Sequence, residues 1–205
     1  MTQGTRSARP AADEEIRERI LDAAQDVMLS AGITARVHAQ IAERAGLSRP
    51  TVYKYVGDQD AIMAALLERE TNRFFDAVTP QLERDIPVRE RFVDLITFAV
   101  TYAREHALLQ FGLQQEPEKV LPWLTIYAAP IMQLALSHFE PLILRLIEEK
   151  ELPEVDSSLL IEIIVRLILS LLSTPGLNPS QSREDLKANI DMLFHVVGHI
   201  VNRSD

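Results

Sequence analysis

Ile41–Tyr55 reads IAERAGLSRPTVYKY, and this stretch decides the fold. Ile41, Ala42 and Ala45 give a first short helix a small apolar inner face at helical spacing. Gly46 follows, where a residue that tolerates positive φ ends a helix without steric cost. Leu47 can plug the corner, and Ser48 can accept a hydrogen bond from the free N–H groups of the next helix. Pro50 falls in that helix's first turn, where its missing N–H costs little. Helix, turn and helix within about fifteen residues is the geometry that lays a helix into the DNA major groove.

Charge outward from this stretch points the same way. The net charge of −9 argues against nucleic acid until its distribution is read. Residues 32–56 hold Arg36, Arg44, Arg49 and Lys54 against Glu43 alone, a local +3, whereas residues 57–205 hold 13 basic and 23 acidic side chains, a local −10. The basic patch lies on the helix-turn-helix, and the acidic remainder should repel DNA and orient the protein on it. Hydrophobic residues are 47% and charged residues 25% of the 205, ordinary values for a globular protein able to bury a core. The lack of cysteine removes disulfides and thiolate metal sites, which suits a reducing cytoplasm. The opening residues carry no signal-peptide core, and the apolar run Ile163–Leu172 is broken by Arg166. That run falls short of the roughly 20 residues that span a bilayer, so a soluble, cytoplasmic protein is expected.

The remaining chain reads as helices only, which makes the fold class all-α. Residues 1–12 lack periodicity and are expected to form a disordered arm, with Arg6 and Arg9 its only charges. A first helix from Asp13 carries the stripe Ile16, Ile20, Ala23, Ala24, Val27, Met28 and Ala31 before Gly32. Asp58 can cap a long helix reaching Val78, a connector out of the first domain. Val88–His106 and Ala107–Gln114 are expected helices, and Val120–Glu149 is an apolar segment that Pro122, Pro130 and Pro141 should kink or break. In Ser157–Leu172 apolar residues cover nearly every side, with Glu162 and Arg166 spaced to pair. One face should meet its own core and the other a second subunit. Ser182 and Asp185 resemble a capping box opening a last helix with the stripe Leu186, Ile190, Leu193, Phe194, Val197, Ile200 and Val201. Gly198 within it costs about 1 kcal/mol against Ala, acceptable where a partner helix approaches closely.

The carrying residues from Ile20 to Leu67 resemble the tetracycline-repressor (TetR) family of transcriptional regulators: AG at 31–32, IAERAGLS at 41–48, TVYKY at 51–55 and GDQDAIMAALL at 57–67. The middle stretch EHALLQFGLQQEPEKVLPWL is similar more loosely. The resemblance implies a three-helix DNA-binding domain at 13–74, with its helix-turn-helix at 37–56, and a ligand-binding and dimerisation domain at 75–205. It implies a homodimer joined through helices 157–172 and 182–202, with two recognition helices in successive major grooves of a near-palindromic, double-stranded operator. It places Arg49, Pro50, Thr51, Tyr53, Lys54 and Tyr55 at the DNA surface, and His38 and Ser48 complete that set. Arg49 and Lys54 suit guanine edges or phosphates, Thr51 a thymine methyl or phosphate, and the tyrosine hydroxyls phosphates. This chain departs from the family at three places. Arg36 and Val37 replace a Thr-Thr pair, so Arg36 takes over a phosphate contact; Val56 replaces Phe; Gln59 replaces Lys, which makes one contact uncharged.

Tyr102, His106, Phe111, Trp123, Tyr127 and His138 lie on the middle helices near the prolines, an inventory that suits a pocket for a bulky, apolar ligand. Core packing accounts for the same residues singly. Asp191, His195 and His199 recur at a spacing where adjacent pairs could share a metal, but no cysteine or dense histidine cluster supports one, and neither metal nor cofactor is expected. Glycine-rich phosphate loops, a nucleophile elbow, HExxH and a nucleophilic cysteine are all missing from the sequence, so an enzyme is not expected. The expectation is a ligand-released, homodimeric repressor; the alternatives are control by a protein partner, or activation.

Overall fold

The computed structural model describes residues 8–32, 37–174, 176–177 and 182–201, with side chains for all of these but 8–10 and 197–201. Every regular element among them is helical: α1 (Ala8–Ala31), α2 (His38–Arg44), α3 (Arg49–Tyr55), α4 (Gln59–Val78) and a 3₁₀ turn (Thr79–Gln81) come first. They are followed by α5 (Val88–Glu105), α6 (Ala107–Gln115), α7 (Pro117–Leu124), α8 (Ala129–Glu148), α9 (Ser157–Ser173) and α10 (Arg183–Val201). The chain divides into two compact units, Met1–Glu70 with Phe111–Pro117, and Thr71–Gln110 with Glu118–Asp205. The boundaries therefore fall inside α4 and α6 and after the first residue of α7.

In the first unit α1, α2 and α3 pack on one another. The α1 stripe buries Ile20, Leu21, Ala23, Ala24, Val27 and Met28, while Ala31 at its end is exposed. Val37, Ile41, Ala42 and Ala45 come in from α2 and its flanks, Val52 from α3, and Ile62, Ala65 and Leu66 from α4. Helix α1 starts at Ala8, earlier than Asp13, because Ala8, Ala11 and Ala12 favour helix and Pro10 falls in the first turn. Residues 1–7 of the expected arm, including Arg6, lie outside the described residues, as does the side chain of Arg9.

A charged side chain completes this small core. Arg69 is 7% exposed, and its Nη1 donates to Asp22 at 2.9 Å and to Glu18 at 3.4 Å. Its Nη2 donates to Gln25 Oε1 and its Nε to Glu70 Oε1, each at 2.9 Å. Position 69 continues the Ile62–Leu66 stripe, so the helical period turns a guanidinium inward, where three carboxylates and an amide receive it.

In the second unit α5 is central, burying Phe92, Val93, Leu95, Ile96, Ala99, Val100 and Ala103 and packing against α9 and α10. Helix α8 packs on α9. Towards the end of α4 Phe75 and Val78 are buried, and Phe74 only partly. The three prolines act unequally. The chain breaks between α7 and α8, which are bent by 46°, while Pro122 and Pro141 stay inside helices. Pro130 takes the first turn of α8, where no N–H is required of it. Asp156 caps α9 by accepting from the Leu159 N–H at 3.0 Å. The Ser182–Asp185 capping box is closed: Ser182 Oγ accepts from Asp185 N–H at 3.1 Å, and Asp185 Oδ2 accepts from Ser182 N–H at 3.3 Å. Glu162 and Arg166 pair at 2.7 Å along α9. Among the described residues, no single helix is long and apolar enough to cross a membrane.

Replacing Arg69 by Ala strips α1 and α4 of these charged hydrogen bonds. Such bonds are worth about 1–3 kcal/mol, and a denaturant titration should show a loss of stability of that order. An unchanged midpoint would mean that the cluster adds nothing to the unit.

Candidate nucleic-acid interface

The corner between α2 and α3 is built from backbone hydrogen bonds that only a left-handed residue permits. Gly46 has φ +63. Its N–H donates to Glu43 O at 3.0 Å, and the Leu47 N–H donates to Ala42 O at 2.8 Å, which is the Schellman pattern that absorbs the last carbonyls of a helix. Two residues on, Ser48 takes an extended conformation and its Oγ accepts from the Thr51 N–H at 3.2 Å. The Ser48 and Thr51 hydroxyls also bond each other at 2.7 Å. Val52 is the inward anchor of α3, fully buried, so the opposite face of that short helix must point out.

On that face Arg49, Pro50, Tyr53 and Lys54 are exposed, while Thr51 and Tyr55 are half-buried. Arg49 makes no ion pair among the described residues. Arg44 differs: its Nη1 lies 3.1 Å from Asp26 Oδ2, so α1 takes up its charge. Arg36 lies outside the described residues. Among the described residues of this patch, Arg49 and Lys54 are the cations that no carboxylate pairs.

The two tyrosines part company. The Tyr55 hydroxyl donates to Asp13 Oδ1 at 3.0 Å, and the Lys54 ammonium lies 4.7 Å from the centre of the Tyr55 ring. That hydroxyl fastens α3 to the start of α1. Tyr53 is 53% exposed, and its hydroxyl bonds no other described residue. Its ring lies parallel to the His38 imidazole, with centroids 4.4 Å apart and planes 5° apart. Both His38 nitrogens are buried and unpartnered. Leaving such groups unmatched costs about 1–3 kcal/mol, against about 0.5–1.5 kcal/mol gained by an aromatic pair. His38 as a whole is half-buried. Gln59 opens α4 next to Asp58, whose Oδ1 accepts from the Ala61 N–H at 2.9 Å.

The sequence offered no pairing for Tyr55 or His38, because Asp13 is 42 positions away from Tyr55 and a stack between helices has no local signature. One trace existed: three consecutive acids stand at 13–15, in the second turn of α1 and not at its end, and the first of them accepts from a tyrosine.

The six residues expected to line a ligand pocket are not gathered as a set. Tyr102 joins Phe74, Phe98 and His106 in an aromatic group. His138 joins the same cluster through Phe75, whose ring lies 5.6 Å from that of Phe74 and packs with His138 and Phe139, and it bonds the Thr79 hydroxyl at 2.8 Å. Trp123 and Tyr127 pair with each other at the α7–α8 bend and are both exposed. Phe111 falls in the first unit. A cleft of about 300 Å³ does open in the second unit, but Arg84, Asp94, Arg183 and Lys187 line it and none of the six does. On α10, Asp191 is held by Arg89 at 2.9 Å, and the His199 side chain is outside those described.

No protein-family model matches the chain. It is 25% identical over 162 residues to the HTH-type transcriptional regulator AlkX of Mycobacterium tuberculosis, covering 78% of this chain and 76% of that relative. Against the first curated relatives it matches, uncharacterized HTH-type transcriptional regulators of the same organism, the match takes in only 46% of their length. Among solved structures it superposes on the TetR family repressor AlkX from Dietzia sp., implicated in biodegradation of n-alkanes, with a TM-score of 0.64 and 20% identity over 94% of this chain and 98% of that one. The fold is that of the TetR family. A second TetR-type match is FadR from Bacillus subtilis in complex with stearoyl-CoA, with a TM-score of 0.59 and 19% identity over 88% of this chain and 96% of that one. In this fold α2 and α3 form the N-terminal helix-turn-helix.

The Ser48 cap is accessible to a simple test. Ser48→Ala removes the side-chain acceptor for the second helix, a loss worth about 0.5–2 kcal/mol. Thermal unfolding should register it as a lowered midpoint, and an unchanged midpoint would mean that backbone bonds alone hold the corner.

Proposed function

We propose that this chain is a homodimeric transcriptional repressor that binds a near-palindromic DNA operator through α3 and is released by a bulky, apolar small ligand. The observation that carries the reading is the outer face of α3. It presents Arg49 and Lys54, two cations without a carboxylate partner, beside the open hydroxyl of Tyr53. Those groups suit guanine edges and backbone phosphates. His38, Ser48, Thr51 and Tyr55 support the helix that carries them, Pro50 shapes its first turn, and Gln59 flanks the surface; Arg36 is expected from the sequence alone to add a phosphate contact.

A second copy of the chain is the partner that the C-terminal helices favour. Ile161 and Ile168 bury one face of α9, while Leu159 and Ile163 on the other are 53% and 55% exposed. On α10 Leu186 and Ile190 are buried, and Met192, Leu193 and Val196 are exposed. Large apolar side chains held out on two helices of one unit favour an isologous interface.

The ligand reading rests on the aromatic group around Tyr102 and on the neighbours. FadR was captured with stearoyl-CoA, and the AlkX structure is tied to n-alkane degradation. Stearoyl-CoA is accordingly the probe of choice. It should raise the melting temperature and release bound DNA, whereas adenosine or glucose should do neither. A dimer that ignores apolar probes would instead favour control by a protein partner at the exposed Trp123, Ile126 and Tyr127.

The DNA reading is tested by selecting fragments from a genomic pool and comparing the wild-type chain with Arg49→Ala/Lys54→Ala. The double variant should lose the selected site, with a drop of about 10²-fold or more for two base or phosphate contacts at about 1–3 kcal/mol each. Sedimentation should find its dimer intact. Undiminished binding would mean that α3 is not the reading helix. Replacing Leu159 and Met192 by Glu should give a monomer, and a persistent dimer would place the interface elsewhere.

A further inference from the structure

The structure assigns His38 a role that the DNA-binding reading does not by itself require. We propose that His38 is a positioning residue: its imidazole holds the Tyr53 ring so that the phenol hydroxyl is aimed at a DNA phosphate, and it does not touch DNA itself. This inference rests on α3 being the recognition helix.

The geometry divides the work among three aromatic rings. Tyr55 has its hydroxyl engaged by Asp13 and its ring covered by Lys54, so it is locked into the head. Tyr53 has the open hydroxyl, yet it extends from a short helix into solvent, where a phenol ring ordinarily samples several rotamers. The parallel stack at 4.4 Å removes that freedom from one side. His38 opens α2 directly after the buried Val37, so its backbone is fixed by the same core that fixes α3 through Val52. A ring carried on one helix thereby sets the direction of a ring on the other. Both imidazole nitrogens are buried, and neither hydrogen-bonds a described residue. Ordering a contact side chain before binding removes the entropy cost of ordering it afterwards.

The test uses the full-length protein and the duplex that the wild-type chain enriches most strongly from a randomised pool. His38→Ala should weaken binding about three- to tenfold, the cost of one freed contact side chain. His38→Phe, which keeps a flat ring and has no N–H, should stay within about twofold of wild type. Tyr53→Phe keeps the stack and loses the hydroxyl, and in that background His38→Ala should have no further effect, because the two residues act as one. If His38→Phe falls as far as His38→Ala, the imidazole contacts DNA directly and the proposal is overturned. It is equally overturned if His38→Ala takes its full toll in the Tyr53→Phe background, since the histidine would then be supporting α2 in general. If the wild-type chain enriches no duplex at all, the DNA-binding reading itself falls, and this role with it.

Discussion

The left-handed backbone at Gly46 is the constraint on which the head depends. A residue with a Cβ resists φ near +63, and without that conformation the Leu47 N–H could not reach back to Ala42 O. The turn leaves two helix ends facing each other with unmatched polar groups, and both sides are settled within six residues. Backbone N–H groups answer the carbonyls of α2, and the Ser48 hydroxyl answers an N–H of α3. The angle between the helices is thus set locally. Burial of Ile41 and Val52 then decides which sides face inward, and the outer side of α3 is what remains.

Helices as short as α2 and α3 are not stable alone, so the rest of the unit must hold them. Helix α1 supplies the largest share of the buried apolar residues, and Tyr55 is tied to its second turn by Asp13. The opposite attachment is ionic: Arg69 of α4 gathers Glu18, Asp22 and Gln25 from α1. One arginine with its donors so placed fixes helix register more tightly than an apolar contact of equal area, because its hydrogen bonds have direction. The same arrangement consumes negative charge on the α1 side, while Arg49 and Lys54 on α3 keep theirs unspent.

Much of this was legible in the sequence, and the legible parts are local. Gly46, Ser48 and Pro50 mark the corner; Ser182 and Asp185 mark the start of α10; Glu162 and Arg166 pair across one turn of α9. Each involves residues within four positions, where spacing alone determines geometry. The contacts that escaped the sequence join distant segments. Tyr55 finds Asp13, Arg69 finds Glu18 and Asp22, and His38 finds the Tyr53 ring. Pro122, Pro130 and Pro141 look equivalent in the sequence, but only Pro130, in the first turn of α8, coincides with a break, because the other two are accommodated within helices. Of the six pocket candidates, Tyr102, His106 and His138 share one aromatic cluster built around Phe74 and Phe75, while Trp123 and Tyr127 pair at the α7–α8 bend, a grouping that depends on contacts between distant segments.

The central claim is that two copies of α3 read DNA side by side, and footprinting of the selected duplex addresses it most directly. Two protected stretches in adjacent major grooves, with centres about one helical turn or roughly 34–36 Å apart, are the expected result. A single protected stretch, or protection confined to the minor groove, would contradict the account.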